Sequence, residues 1–134
     1  TASHCGFTSQ YGGLESLWRS RRGDGVTVLG VPSRDFRQEL PTDGEVARFC
    51  KLNFGVSFPM LHVSKVTGPK AIPLMKALAA PSWSHPPEWN FTKYLVDRQG
   101  RVAMRFTSAT EPGAPEVTRS INALLAEPGR QSPT

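Results

Sequence analysis

A six-residue run of β-branched and apolar residues, Val26-Thr27-Val28-Leu29-Gly30-Val31, sits between two stretches of helical pattern, and that alternation leaves few architectures open. A short run apolar on both faces suits a strand buried on both sides, as in parallel sheets covered by helices. Pro32-Ser33 ends it. Upstream, from about Gln10 to Arg21, Tyr11, Leu14, Leu17 and Trp18 fall on one helical face, and Gly23-Asp24-Gly25 stops the helix. Downstream, Thr42-x-x-Glu45 reads as a capping box ahead of an apolar face of Val46, Phe49, Cys50 and Phe54, closed by Gly55.

Val56 to Leu61 reads as a second strand, which Pro59 confines to an edge or an irregular ladder. A short helix is predicted around Ile72 to Leu78, with Pro73 in its first turn. Phe91 to Val96 and Arg101 to Phe106 flank Asp97-Arg98-Gln99-Gly100, the spacing of an antiparallel hairpin. Pro115 opens a last amphipathic helix carrying Val117, Ile121, Leu124 and Leu125, and the tail 127–134 is expected to fray. The order predicts an α/β fold, one domain over 1–134, with a mixed sheet flanked by helices on both faces. A reactive cysteine ahead of a helix in such a fold follows a central strand. Only Thr1 to His4 precede Cys5, so the first central strand is expected upstream of Thr1.

The net charge of +5, from 16 Lys+Arg against 11 Asp+Glu, is scattered, and only Arg19, Arg21 and Arg22 cluster. At a helix end these cations suit the dipole, the competing reading being a patch that steers acidic partners. No nucleic-acid recognition motif accompanies them, so no nucleic-acid partner is expected. No apolar run approaches the roughly 18 residues of a membrane helix, and TASHCGFTSQ shows no signal peptide. The expectation is a cytoplasmic protein without a membrane span. Two cysteines do not make a disulfide scaffold, and His4, His62 and His85 stand too far apart for a zinc motif, so no metal is expected.

Cys5 lies in Ala2-Ser3-His4-Cys5-Gly6-Phe7-Thr8, a polar connection into the first helix. Backbone N–H groups and the positive end of a helix stabilise a thiolate there, and His4 offers a further donor. An inert loop thiol is the competing reading. Cys50, on the apolar face of the capped helix, has the placement of a small core residue.

Three blocks, in order, resemble the glutathione peroxidase family. ASHCGFTSQYGGLESL is similar to the signature Ala-Ser-x-(Cys or selenocysteine)-Gly-x-Thr that holds the peroxidatic residue. VLGVPSRDFRQELP resembles the segment with the family's catalytic glutamine, and WNFTKYLVDRQGRV resembles its Trp-Asn-Phe-x-Lys-Phe-Leu block. The similarity runs from Thr1 to about Leu125. It implies a thioredoxin-like fold and reduction of hydrogen peroxide and organic hydroperoxides through a sulfenic acid on Cys5, with Gln38, Trp89 and Asn90 around the sulfur. Amide and indole N–H groups stabilise negative charge without titrating. No metal, flavin or haem is implied, only an external thiol reductant, thioredoxin or glutathione.

The chain departs from the family pattern in two places. Phe36-Arg37-Gln38-Glu39 is shorter by one residue than the usual Phe-Gly-x-Gln-Glu spacing, and Pro32-Ser33-Arg34-Asp35 replaces Pro-Cys-Asn-Gln. Cys50 falls about one residue ahead of the resolving cysteine of thioredoxin-dependent relatives, a shift that turns a helical side chain by about 100°. Resolving thiol and core residue both stay open for it. The short proline-rich segment between Leu78 and Trp89 lacks the insertion of tetrameric, glutathione-using members, which implies a monomer open to a small protein reductant. The alternative function is a redox-sensing binding protein that passes Cys5 oxidation to a partner.

Overall fold

The computed structural model describes residues 1–128, so most of the tail expected to fray, 129–134, lies outside the described residues. α1 spans Gln10–Arg21 and runs into a 3-10 turn at Arg22–Asp24, which ends at Gly25 with φ +98°. Only a residue without a Cβ takes that conformation at no steric cost. The cations at this helix end are engaged in structure. Arg19 pairs with Glu15, Arg21 bonds both Asp24 and Asn122, and the Arg22 guanidinium stacks 4.9 Å from the Trp18 ring.

α2 spans Asp43–Phe54, and one half of the expected capping box forms: Thr42 Oγ1 accepts from Glu45 N at 3.2 Å. Gly55 closes it at φ +61°, donating to Lys51 O. α3, Pro73–Ala79, begins on its proline, and α4, Pro115–Leu125, buries Val117 and Ile121. β1, Lys93–Val96, pairs antiparallel with β2, Val102–Phe106, with an irregularity between Leu95 and Val96 and Gly100 at φ +82° in the turn.

The two strands expected at Val26–Val31 and Val56–Leu61 do not form ladders. They meet in a single parallel bridge, Gly30 with Met60, made by Gly30 N to Pro59 O and Leu61 N to Gly30 O, each 2.9 Å. Pro32 and Pro59 bring no N–H to a ladder, so no regular ladder extends from the bridge, and beyond it Ser64 N donates to Pro32 O at 2.9 Å. The approach is also tight: a Cβ at Gly30 would stand 2.3 Å from Met60 Sδ. Thr1 N also donates to the 26–31 segment, at Val31 O, 2.7 Å. A groove of about 410 Å3, bordered by Val26, Leu29, Leu78, Leu95 and Ile121, separates this segment from β1.

Apolar packing falls into three clusters. Tyr11, Val28, Val46, Cys50, Phe58 and Phe91 join α1 to α2. Val66 and Ala71 pack with Met75 and Leu78 of α3, and Phe106, Val117 and Ile121 seat α4 on the hairpin. No helix among the described residues is long and apolar enough to cross a membrane.

Candidate active site

The Cys5 turn is held by its own side chains. Thr8 Oγ1 accepts from Cys5 N at 2.9 Å and donates to Ala2 O at 3.0 Å, while Thr8 N returns to Cys5 O at 3.1 Å. A hydroxyl three residues after the cysteine thus winds residues 5–8 into the start of α1. Phe7 N points at Cys5 Sγ, 3.5 Å away. Ahead of the cysteine, Ser3 N and Ser3 Oγ both donate to the buried Glu39 Oε1, and His4 N donates to Gln38 O at 2.8 Å. The 38–39 segment therefore fastens the residues before Cys5.

A second turn, Trp89 to Thr92, faces the first. Its approach is anchored on the hairpin, where Tyr94 Oη donates to His85 O at 2.7 Å and Arg105 donates to Pro86 O at 3.0 Å. Thr92 Oγ1 donates to Trp89 O, and Phe91 takes a left-handed φ of +64° with its ring 5.0 Å from Tyr11. A bulky residue is rarely found at such a φ, which must be maintained by its surroundings. The result is the contact that defines the site: Trp89 Nε1 donates to Cys5 Sγ at 3.2 Å. The indole is 38% exposed and lies 5.4 Å from the Phe36 ring.

The remaining expected residues stand differently. Asn90 is adjacent in the same turn and only 2% exposed, yet neither Nδ2 nor Oδ1 bonds a protein group among the described residues. Gln38 meets this region through its backbone carbonyl, and its side chain makes no hydrogen bond to Cys5. Arg37, just before it and inside the shortened segment, has φ +61°. The His4 ring packs edge-on against Phe49, 5.9 Å between centroids, instead of bonding the sulfur. Cys50 is 2% exposed in the first cluster, against which the half-buried Cys5 also packs, and both thiols are free. Burial pushes the Cys50 thiol up from its ordinary pKa, and the nearby Tyr11 hydroxyl opposes that only in part.

A cavity of about 110 Å3 lies on the inner side of the Trp89 turn, bordered by Ser33, Phe36, Trp89, Asn90 and Lys93 but not by Cys5. No group of three or more His, Cys, Asp or Glu side chains among the described residues is placed to hold a metal ion. The structure adds three residues to which the sequence assigns no role at the site: Thr8, Glu39 and Lys93. Thr8 had a signal, since Thr three residues after a turn residue favours a side-chain cap. Glu39 and Lys93 act on partners far along the chain, and the sequence marks them only as positions of the Gln-Glu and Trp-Asn-Phe-x-Lys blocks, with no role attached.

The glutathione peroxidase family model matches residues 1–79. The hydroperoxy fatty acid reductase gpx1 of Synechocystis sp. is 46% identical over 136 aligned residues, covering 93% of this chain and 79% of that protein. The glutathione peroxidase homolog BsaA of Staphylococcus aureus is 43% identical over 93% of this chain and 80% of its own. The glutathione peroxidase-like peroxiredoxin GPX5 of Chlamydomonas reinhardtii is 41% identical over 91% of this chain and 79% of its own. The crystal structure of Trgpx in apo form superposes with a TM-score of 0.71 at 31% identity, over 97% of this chain and 79% of that one. The architecture is the thioredoxin-like α/β arrangement, and with relatives this similar over nearly its whole length the chain belongs to the glutathione peroxidase family.

Proposed function

We propose that this chain is a thiol-dependent peroxidase in which Cys5 is the nucleophile. The observation that carries the reading is the Trp89 Nε1–H donated to Cys5 Sγ at 3.2 Å across 84 residues of sequence. A donor aimed at sulfur favours the anion that attacks. The sulfur anion displaces an alcohol from a hydroperoxide ROOH: an S–O bond forms, the O–O bond breaks, and the departing RO⁻ takes a proton to leave as ROH. Cys5 is left as sulfenic acid. Trp89 holds the sulfur in place, while Asn90, with its amide unengaged, is the group that meets charge developing on the departing oxygen. Gln38 joins them if its side chain turns inward when peroxide binds.

One thiol then attacks the sulfenic sulfur, releasing water and forming a disulfide, and a second thiol reduces that disulfide. Thioredoxin or glutathione supplies these equivalents, and a half-buried Cys5 beside an exposed indole favours the protein dithiol. Hydrogen peroxide and organic hydroperoxides are the substrates, in line with the relative that is a hydroperoxy fatty acid reductase. The test is peroxide-dependent NADPH oxidation coupled through thioredoxin reductase and thioredoxin, or through glutathione reductase and glutathione. Wild type turns over with at least one of these. Cys5→Ser, folded by circular dichroism, turns over with neither, and retention of more than a few per cent of wild-type activity removes Cys5 as nucleophile.

A further inference from the structure

We infer that Lys93 is a positioning residue, its ammonium clamping the Trp89–Asn90 turn to the base of the Cys5 turn through the carbonyls of Phe91, Thr107 and Ser108. Nζ donates to Phe91 O at 2.7 Å, Ser108 O at 3.3 Å and Thr107 O at 3.5 Å. Its three N–H donors thus match three carbonyls, and a charged donor makes each bond stronger than a neutral one. Ser108 O receives a second donor, Gln10 Nε2 at 2.7 Å, from the first residue of α1. Gln10 is itself buried, five residues after Cys5.

One carbonyl therefore joins the two halves of the site. From Ser108 O one arm runs through Gln10 to the turn that carries Cys5. The other runs through Lys93 to Phe91 O, the peptide that follows Asn90 and Phe91. That peptide leaves a residue at φ +64°, a conformation a phenylalanine does not keep unaided. Releasing it lets Phe91 relax toward negative φ, and the rotation swings Asn90 and Trp89 away from the sulfur. A Trp89 contact at 3.2 Å has little tolerance for such movement.

The clamp also has a charge state that changes near neutrality. Burial lowers the Lys93 pKa to about 8, and Glu111, in the loop before α4, opposes that shift in part. Gln10, from α1, is uncharged and does not alter it. Below about pH 8 the ammonium serves all three carbonyls. Above it a neutral amine has two N–H groups for three acceptors and no charge assistance.

The inference rests on Cys5 as nucleophile, and one set of stopped-flow measurements separates the two. The second-order rate constant for oxidation of Cys5 by hydrogen peroxide is followed from pH 6 to pH 10 and divided by the thiolate fraction, read from ultraviolet absorbance. In wild type the quotient falls about fivefold as pH rises through about 8. Lys93→Arg, charged throughout, stays level to pH 10, and Lys93→Gln, never charged, is at least tenfold slower at pH 7 with no further fall. A wild-type quotient level to pH 9.5, a fall near pH 8 that persists in Lys93→Arg, or a Lys93→Gln protein as fast as wild type at pH 7 each overturns the clamp. If Lys93→Gln does not fold, the wild-type and Lys93→Arg profiles decide alone. Activity retained by Cys5→Ser is a different failure, that of the nucleophile.

Discussion

Glu15 and Asn90 are buried to almost the same degree, 4% and 2% exposed, and the protein treats them in opposite ways. Glu15 is saturated. Its carboxylate accepts from Ser57 N at 2.7 Å, Ser57 Oγ at 2.6 Å, Phe58 N at 3.3 Å and the Arg19 guanidinium, which fastens α1 to the segment beyond α2. Burial alone would raise its pKa, but these donors from Ser57, Arg19 and Phe58 lower it to about 2. Asn90 has four hydrogen-bonding positions and no protein partner for them among the described residues. A buried polar group left unmatched costs free energy, so the fold gains nothing from it at rest. One buried polar group is scaffold, and the proposed mechanism gives the other its partner only in the charge that develops during reaction.

The largest effect expected from this contrast is on stability. Glu15→Gln removes the charge that four donors converge on, and the expected loss is about 3 kcal/mol in urea unfolding, with peroxide reactivity per folded molecule unchanged. The pH dependence has a definite sign. A carboxyl depressed to about 2 from an ordinary 4.5 stabilises the fold above about pH 4.5, and that contribution disappears as pH falls toward 2. Glu15→Gln should therefore flatten the acid limb of the stability curve. A variant as acid-sensitive as wild type would show that Glu15 is not what the donors serve.

Asn90→Ala comes next. It should slow the peroxide step by roughly 10- to 100-fold, at or below the loss of one donor in oxyanion sites because the departing oxygen takes up a proton as it leaves, and should leave urea stability nearly unchanged. A change confined to the reductive half-reaction, or a large loss of stability, would make Asn90 scaffold after all. Trp89→Phe should cost less, about tenfold in the same step. Its N–H is already bonded to the resting sulfur, and an interaction present before and during reaction lowers the barrier less than one made only in the transition state. If Trp89→Phe proves slower than Asn90→Ala, the division of labour between the two is reversed.

Cys50→Ser should have the smallest effect on the peroxide step, none beyond twofold, since its thiol is buried and its pKa is raised by burial. Its consequence lies in the product. If α2 opens, one equivalent of peroxide leaves wild type two hydrogens lighter, as a Cys5–Cys50 disulfide, while Cys50→Ser accumulates sulfenic or sulfinic acid. Gly44 in the first turn of α2 and Gly55 at its end make that opening easier. Identical oxygen adducts in both proteins would establish a one-cysteine enzyme with Cys50 as core.

Much of the architecture was readable because it rests on local chemistry. Periodicity and caps place α1 and α2 at their observed bounds, Pro73 and Pro115 mark the starts of α3 and α4, and Gly100 marks the hairpin turn. The Ala-Ser-x-Cys-Gly and Trp-Asn-Phe blocks name Cys5, Trp89 and Asn90 as candidates, of which the structure joins Trp89 to Cys5 by a hydrogen bond. Strand pairing was less readable, because a ladder depends on which distant segment supplies the partner, and Val26–Val31 finds only one bridge.

What a residue does within a few positions of itself is set by backbone sterics and nearby side chains, so the Cys5 turn and the Thr42 cap follow from composition and spacing. Which groups meet across the chain is set by packing, where a shift of an ångström decides whether a hydrogen bond exists. Packing brings Trp89 to Cys5, Ser57 to Glu15, and Ser108 to both Gln10 and Lys93, over separations of 84, 42, 98 and 15 residues. It also leaves the Gln38 side chain without a hydrogen bond to the sulfur and the Asn90 amide without a protein partner among the described residues. No pattern along the chain encodes those differences, because each is a competition for acceptors that exists only once the segments have been brought together.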